Sequence, residues 1–250
     1  MFKKYWKFFV IFWSVVLVGI IGVFVFFWLI SAGKLGFMPT FEELENPNNR
    51  FASEVYFADG PIMNRYFEKE NRKYIEYREI PQSVIDALIA TEDVRFYDHS
   101  GVDVRGLFRV AKGLLTANTS AGGGSTISQQ LAKMLFPRES DLNVFELAIR
   151  KFREWVIAVR LEKSYTKEEI LTMYFNTVDF GSNAFGIKTA CHTYFNTTPD
   201  KITVEQAATL IGLLKATTYY NPKINPKNSL SRRNVVLGKL YEHHVLHSLG

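Results

Sequence analysis

From Phe8 to Ile30 the chain runs 23 residues without a charge, with Ser14 as its main polar interruption. At helical rise that is about 35 Å, enough to cross a bilayer with some tilt. A cleaved signal peptide has a shorter apolar core, usually about 7–15 residues, and no small-x-small site with a polar flank comes after this one. The stretch therefore predicts one membrane helix over residues 8–30, after a tail of residues 1–7. Residues 31–50, with Pro39 and Pro47-Asn48-Asn49, read as a linker, and 51–250 as a globular domain. Lys3, Lys4 and Lys7 precede the span and only Lys34 stands close behind it. The positive-inside rule then puts the N-terminus in the cytoplasm and the domain on the outer, periplasmic face.

The net charge of +5 does not describe the domain. Residues 1–39 hold four lysines and no acid, which leaves 26 basic against 25 acidic residues beyond them. A nucleic-acid-binding surface is therefore not indicated. Cys191 is the only cysteine, so no internal disulfide can form, and its neighbours Ala190, Tyr194 and Phe195 suggest a buried thiol.

Chemistry concentrates between Thr91 and Lys133. An apolar run (Val84, Ile85, Ala87, Leu88, Ile89, Ala90) ends in Glu92-Asp93, followed by Phe96, His99 and Gly101. A carboxylate at the end of such a helix, partly shielded from water, is a usable proton acceptor. Further on, Gly122-Gly123-Gly124 leads into Ser125, read as the N-cap of a helix. Free N–H groups and the positive end of a helix dipole make that junction an anion cradle. Thr126, Gln129, Gln130 and Lys133 share one side of the helix; Ile127, Leu131, Met134 and Leu135 share the other. It is not a Walker loop, because no Gly-Lys-Ser/Thr stands at the required spacing. A proton acceptor beside an anion cradle reads as group transfer from a phosphorylated donor.

Two amphipathic segments flank these motifs. Between Val104 and Ala117, Arg105, Arg109 and Lys112 form one stripe and Leu107, Phe108, Ala111, Leu114 and Leu115 another. From Asn143 to Glu162, Phe145, Ala148, Phe152, Trp155 and Val159 recur at helical spacing, opposite Glu146, Arg150, Lys151, Arg153 and Glu154. Ser53 to Phe67, around Asp59-Gly60-Pro61, predicts a small hairpin. Thr166-Lys167-Glu168-Glu169 is a capping box.

Glu-Asp-x-x-Phe-x-x-His-x-Gly and Gly-x-Ser-Thr-Ile-x-Gln-Gln-x-x-Lys resemble the first two signatures of the peptidoglycan glycosyltransferases. That family includes monofunctional enzymes and the N-terminal domains of class A penicillin-binding proteins. Arg150-Lys151-Phe152-Arg153-Glu154 resembles its third signature, and Lys167 to Asn176, with Tyr174, its fourth. The likeness extends over about residues 45–245. It departs at Thr217, where proline is common, and in the long 134–149 connection, where Arg138 is the choice for an expected lone arginine. Ser164-Tyr165-Thr166-Lys167 fits the penicillin-reactive Ser-x-x-Lys by coincidence, since no Lys-Thr-Gly comes later.

The resemblance implies a mainly α, lysozyme-like, two-lobed domain, with a membrane-facing jaw at about residues 100–125. It implies lipid II as substrate, polymerised with inversion into β-1,4 glycan at the bacterial inner membrane. Glu92 and Glu154 are its implied functional carboxylates. Gly124, Ser125, Thr126, Gln129, Gln130, Lys133, Arg150, Lys151 and Arg153 would bind substrate pyrophosphate. Asp93, Phe96, His99, Gly101, Tyr174 and Asn176 would support the motifs. The family allows a divalent cation (Mg or Mn) shared by Glu154 and pyrophosphate, although no ligand cluster in the sequence demands one. It leaves room for other cell-wall proteins as partners and for a transpeptidase domain in a longer chain. A lytic or lysozyme-like hydrolase and a non-catalytic scaffold are the competing readings. The basic residues around Glu154 favour a polymerase, since a cleaving enzyme holds no pyrophosphate.

Overall fold

A computed structural model describes residues 2–40, 43, 53–56, 62–66, 73–116, 123–136 and 143–248. The fold is mainly helical. Helix α1 (Phe2–Ser31) is the long apolar segment, and its apolar side chains between Trp6 and Trp28 are largely exposed. Strands β1 (Ser53–Tyr56) and β2 (Ile62–Tyr66) pair antiparallel with a register shift at Val55/Tyr56. The turn predicted at Asp59-Gly60-Pro61 lies outside the described residues, as do Gly122 and Arg138.

Helix α2 (Gln82–Glu92) opens behind Pro81, whose fixed φ suits the entry of a helix, and ends at Glu92. Val84, Ile85, Leu88 and Ile89 of α2 enter the core with Phe96. Helix α3 (Val104–Leu115) comes next, then α4 (Ile127–Leu135), α5 (Val144–Ser164) and α6 (Lys167–Thr177). Helix α7 (Ile187–Phe195), α8 (Val204–Leu213) and α9 (Pro226–Ser248) complete the chain. Capping boxes start α5 (Asn143 with Glu146), α6 (Thr166 with Glu169) and α8 (Thr203 with Gln206). Each satisfies two orphan backbone donors and fixes where its helix begins.

Helix α9 packs on α8 and on α2; α4 packs on α5 and α6; α1 packs on α5. Leu131, Leu161, Ile170, Tyr174, Phe175, Leu210 and Val236 join these helices into one core. Cys191 is buried there, and burial pushes its thiol up to about 12.

The long periodic helix α5 is used differently from its sequence pattern. Its core face is Ile157, Ala158 and Leu161, not the stripe of Phe145, Ala148 and Phe152. Phe152 instead meets Phe26 and Phe27 of α1 edge-on, with ring centroids at 5.4 and 5.7 Å, and Trp155 at 5.1 Å. Val144 and Phe145 are exposed. A helix read alone shows one apolar stripe, but α5 lies between the core and the membrane helix and needs two. Arg160 fastens this junction by donating to the carbonyls of Ser31 and Pro39 at 2.9 and 3.0 Å.

Candidate active site

Glu92 is the last residue of α2, where the helix leaves the core, and is half-buried. Its Oε2 accepts from Gln130 Nε2 at 3.0 Å. Gln130 Oε1 in turn accepts from the Tyr174 hydroxyl at 3.0 Å. Tyr174 is fully buried, and burial, then the charge of Glu92, raise its pKa. The phenol therefore stays a donor, which fixes the Gln130 amide and directs its N–H at Glu92.

Asp93 turns the other way. Its Oδ2 accepts from the backbone N–H of Ile127 at 3.0 Å, tying the end of α2 to the first turn of α4. Both carboxylate oxygens lie 3.0 Å from His99 Nε2, while His99 Nδ1 accepts from the Gly101 N–H at 3.2 Å. A proton on Nε2 satisfies both sides of the ring. Gly101 has φ +92, and a Cβ there would stand 2.7 Å from the Ala158 backbone. Only glycine lets the loop lie so close to α5.

The N-cap of α4 is Thr126, not Ser125 as the sequence suggested. Its hydroxyl accepts from Gln129 N and donates to the Gly101 carbonyl at 2.7 Å. Gln129 is buried and donates to that same carbonyl at 3.2 Å. The polar stripe of α4 is therefore divided: Thr126 and Gln129 hold the two motif segments together, whereas Gln130 and Lys133 line a cavity. Moving the cap one residue frees Ser125, whose Oγ accepts from Lys151 Nζ at 3.0 Å. Lys151 also donates to Glu154 Oε2 at 2.9 Å. Ser125, Lys151 and Glu154 thus form one contiguous polar group. Gly124 packs beside Leu107 and Val110 of α3, and Arg150 is half-buried on α5.

Arg153 departs from the predicted arrangement. It is only 8% exposed, and its guanidinium occupies the space a side chain at Gly36 would fill. It faces the exit of α1 because α5 must close against the membrane helix on that side. Phe96 is a core residue with Lys167 Nζ 4.3 Å above its ring. Lys167 also donates to the His99 carbonyl and to Glu162. Asn176 pairs with both backbone groups of Ile75 at 2.8 and 2.9 Å. These motif residues hold the scaffold.

Two cavities meet at Glu92. One, of about 320 Å³, is bounded by Arg95, Arg109, the Gly123–Thr126 segment and Lys239. The other, of about 800 Å³, is bounded by Gln130, Lys133, Tyr174, Lys215, Arg232 and Lys239. Glu92, Ser125 and Lys239 border both. Lys215, Arg232 and Lys239 escaped the sequence reading. Their signal was the seven-residue spacing of Arg232 and Lys239, two helical turns on one stripe of α9. Among the described residues, no three His, Cys, Asp or Glu side chains gather to hold a metal ion. Glu154 Oε2 accepts from Lys151 in this arrangement.

A carboxylate between two cation-lined cavities has the parts for group transfer from an anionic donor, and sequence comparison states the family. The Transglycosylase family profile matches residues 59–241, and the chain belongs to that family. It is 37% identical over 205 residues to penicillin-binding protein 1A of Escherichia coli K12, covering 82% of this chain and 23% of that protein. The protein of the same name from Neisseria flavescens is 36% identical over 205 residues, covering 82% and 25%. The chain thus spans about a quarter of the length of these relatives. Penicillin-binding protein 1A of Haemophilus influenzae, a solved structure, aligns at TM-score 0.40 and 22% identity, over 76% of this chain and 18% of that one.

Proposed function

We propose that this chain is a membrane-anchored peptidoglycan glycosyltransferase that polymerises lipid II into β-1,4 glycan strands and releases undecaprenyl pyrophosphate. One observation carries the reading: Glu92, aimed by Gln130, stands on the wall shared by two cavities. Two sugar substrates must meet at one base, and two adjoining spaces suit a donor and an acceptor.

In this reading Glu92 takes the proton of the acceptor's 4-hydroxyl as its oxygen attacks the donor's anomeric carbon. The new C–O bond forms as the bond to pyrophosphate breaks, with inversion at a carbon of oxocarbenium character. Pyrophosphate leaves as a weakly basic anion and needs charge neutralisation more than a general acid. Lys133, Lys151, Arg150 and the Ser125 segment supply cations and donors. Glu154 positions Lys151 and Ser125 through the contacts that join them.

Helix α1 would cross the bacterial inner membrane with residues 1–7 in the cytoplasm and the domain on the outer face. The domain, from about residue 51, would have lysozyme-like lobes, with the 100–125 region as a jaw dipping into the leaflet that holds the substrate. Confinement of enzyme and substrates to one surface replaces a three-dimensional search by a two-dimensional one. The lytic alternative leaves the cations beside Ser125 without a purpose.

The deciding experiment is incubation of the detergent-solubilised protein with labelled lipid II. Polymer appearing together with free undecaprenyl pyrophosphate is the expected result. Absence of polymer, or cleavage of preformed glycan by the same protein, would overturn the proposal.

A further inference from the structure

Lys239 lies on α9, well over a hundred residues after Glu92, yet it borders both cavities that Glu92 borders. Its ammonium donates to the Thr91 carbonyl at 2.9 Å. That carbonyl belongs to the last turn of α2, among the four at a helix end that lack an intrahelical partner. A cation at a helix C-terminus also complements the negative end of the dipole. The donor therefore pins the peptide group immediately before Glu92.

The surroundings point to a fixed rather than a roaming cation. Lys239 is half-buried, and burial, with Arg232 and Lys215 nearby, pulls its pKa down; Glu92 and Glu242 oppose that shift. Arg95, Arg109, Asp93, Asp103 and His243 complete the charged and titratable groups around the smaller cavity. Arg95 and Asp103 are engaged with each other, as are Asp93 and His99. Gln130 holds the Glu92 side chain through a neutral donor, and Lys239 holds the peptide group just before it.

Resting on the reading of Glu92 as the base, we infer that Lys239 is a positioning residue for it. It pins the end of α2 through the Thr91 carbonyl and so fixes where the Glu92 side chain leaves the helix. A misdirected base loses rate without loosening the substrate, and small displacements can cost up to about 100-fold.

Three variants of the full chain test the pin. Lys239→Met removes the donor, whereas Lys239→Gln and Lys239→Arg each keep one. Initial polymerisation rates are measured across lipid II concentration, with melting temperatures alongside. The expected result for Lys239→Met is a fall in kcat of about 10–100-fold, with KM within about twofold. Lys239→Arg restores kcat to within about threefold of wild type, and Lys239→Gln, whose shorter side chain reaches the carbonyl less well, falls between the two. If Lys239→Met does not fold, the Gln and Arg variants carry the comparison through the same split of kcat from KM. A wild-type kcat per folded molecule in the Met and Gln variants, or a loss confined to KM, overturns the inference and makes Lys239 a structural residue or a substrate contact. Glu92→Gln is run beside them. An active Glu92→Gln enzyme sinks the underlying reading, whereas an inactive one with wild-type Lys239→Met and Lys239→Gln sinks only this inference.

Discussion

Glu92 and Gln130, 38 residues apart in the chain, are joined by one hydrogen bond of 3.0 Å. That contact links the end of α2 to the second turn of α4, and Tyr174 of α6 holds it from behind. Three helices therefore agree on the direction of one carboxylate. Such a shell is what keeps a general base within reach of a hydroxyl that arrives with the substrate.

Replacing Glu92 by glutamine tests that role with little change in shape. The amide oxygen can take the place of Oε2 and still accept from Gln130, but the group accepts no proton. Loss of a general base typically costs about 10²–10⁴ in rate. Polymer should fall near the detection limit while the melting temperature stays close to wild type. A folded Glu92→Gln enzyme working within a few-fold of wild type would falsify the assignment.

Tyr174→Phe removes the donor behind Gln130 and leaves the amide free to flip. An unsatisfied buried acceptor costs about 1–3 kcal/mol, so a lower melting temperature is expected. The rate should fall beyond what the unfolded fraction explains, with KM unchanged. Equal kcat per folded molecule would mean that Tyr174 only fills the core.

Asp93 separates structure from chemistry. An asparagine oxygen in the Oδ2 position can still accept from Ile127 N–H and from His99 Nε2–H, but its NH₂ then stands where Oδ1 was, facing the same ring proton. The ring cannot switch tautomer without turning Nδ1–H toward the Gly101 N–H. A buried donor is left without an acceptor either way, at about 1–3 kcal/mol. Asp93→Asn should therefore melt earlier than Glu92→Gln yet retain more activity per folded molecule. The reverse order in either measurement would contradict this division.

Much of the fold was legible in the sequence, and the gaps have physical causes. The helix start at Thr166 comes from capping chemistry that acts within four residues, and the helix from Asn143 from its apolar period. The membrane helix comes from length and composition. By contrast, the cap of α4 sits at Thr126 and not Ser125 because the Gly101 carbonyl, 25 residues away, engages the Thr126 hydroxyl. No local pattern reports such a partner. Proximity in sequence groups Arg153 with Lys151, but two residues along a helix turn a side chain well around the axis, here toward Gly36. Lys239 was hidden because a lysine on a polar helix carries no mark of the carbonyl it will meet.

Phe108 tests the membrane side of the domain. It is 73% exposed on α3, beside exposed Val104, whereas Leu107 and Val110 turn inward against Gly124. An exposed phenylalanine on the helix that packs beside Gly124 is suited to entering a lipid leaflet. Phe108→Glu should leave the melting temperature unchanged, because the ring packs little against the protein. On lipid II embedded in vesicles the apparent KM should rise several-fold; burying a glutamate at the interface is unfavourable, and α3 would lift. On a short-chain lipid II dispersed in detergent, the rate should match wild type. A loss of equal size in both formats would show that Phe108 acts on the cleft itself, and no change in vesicles would show that α3 stays clear of the bilayer.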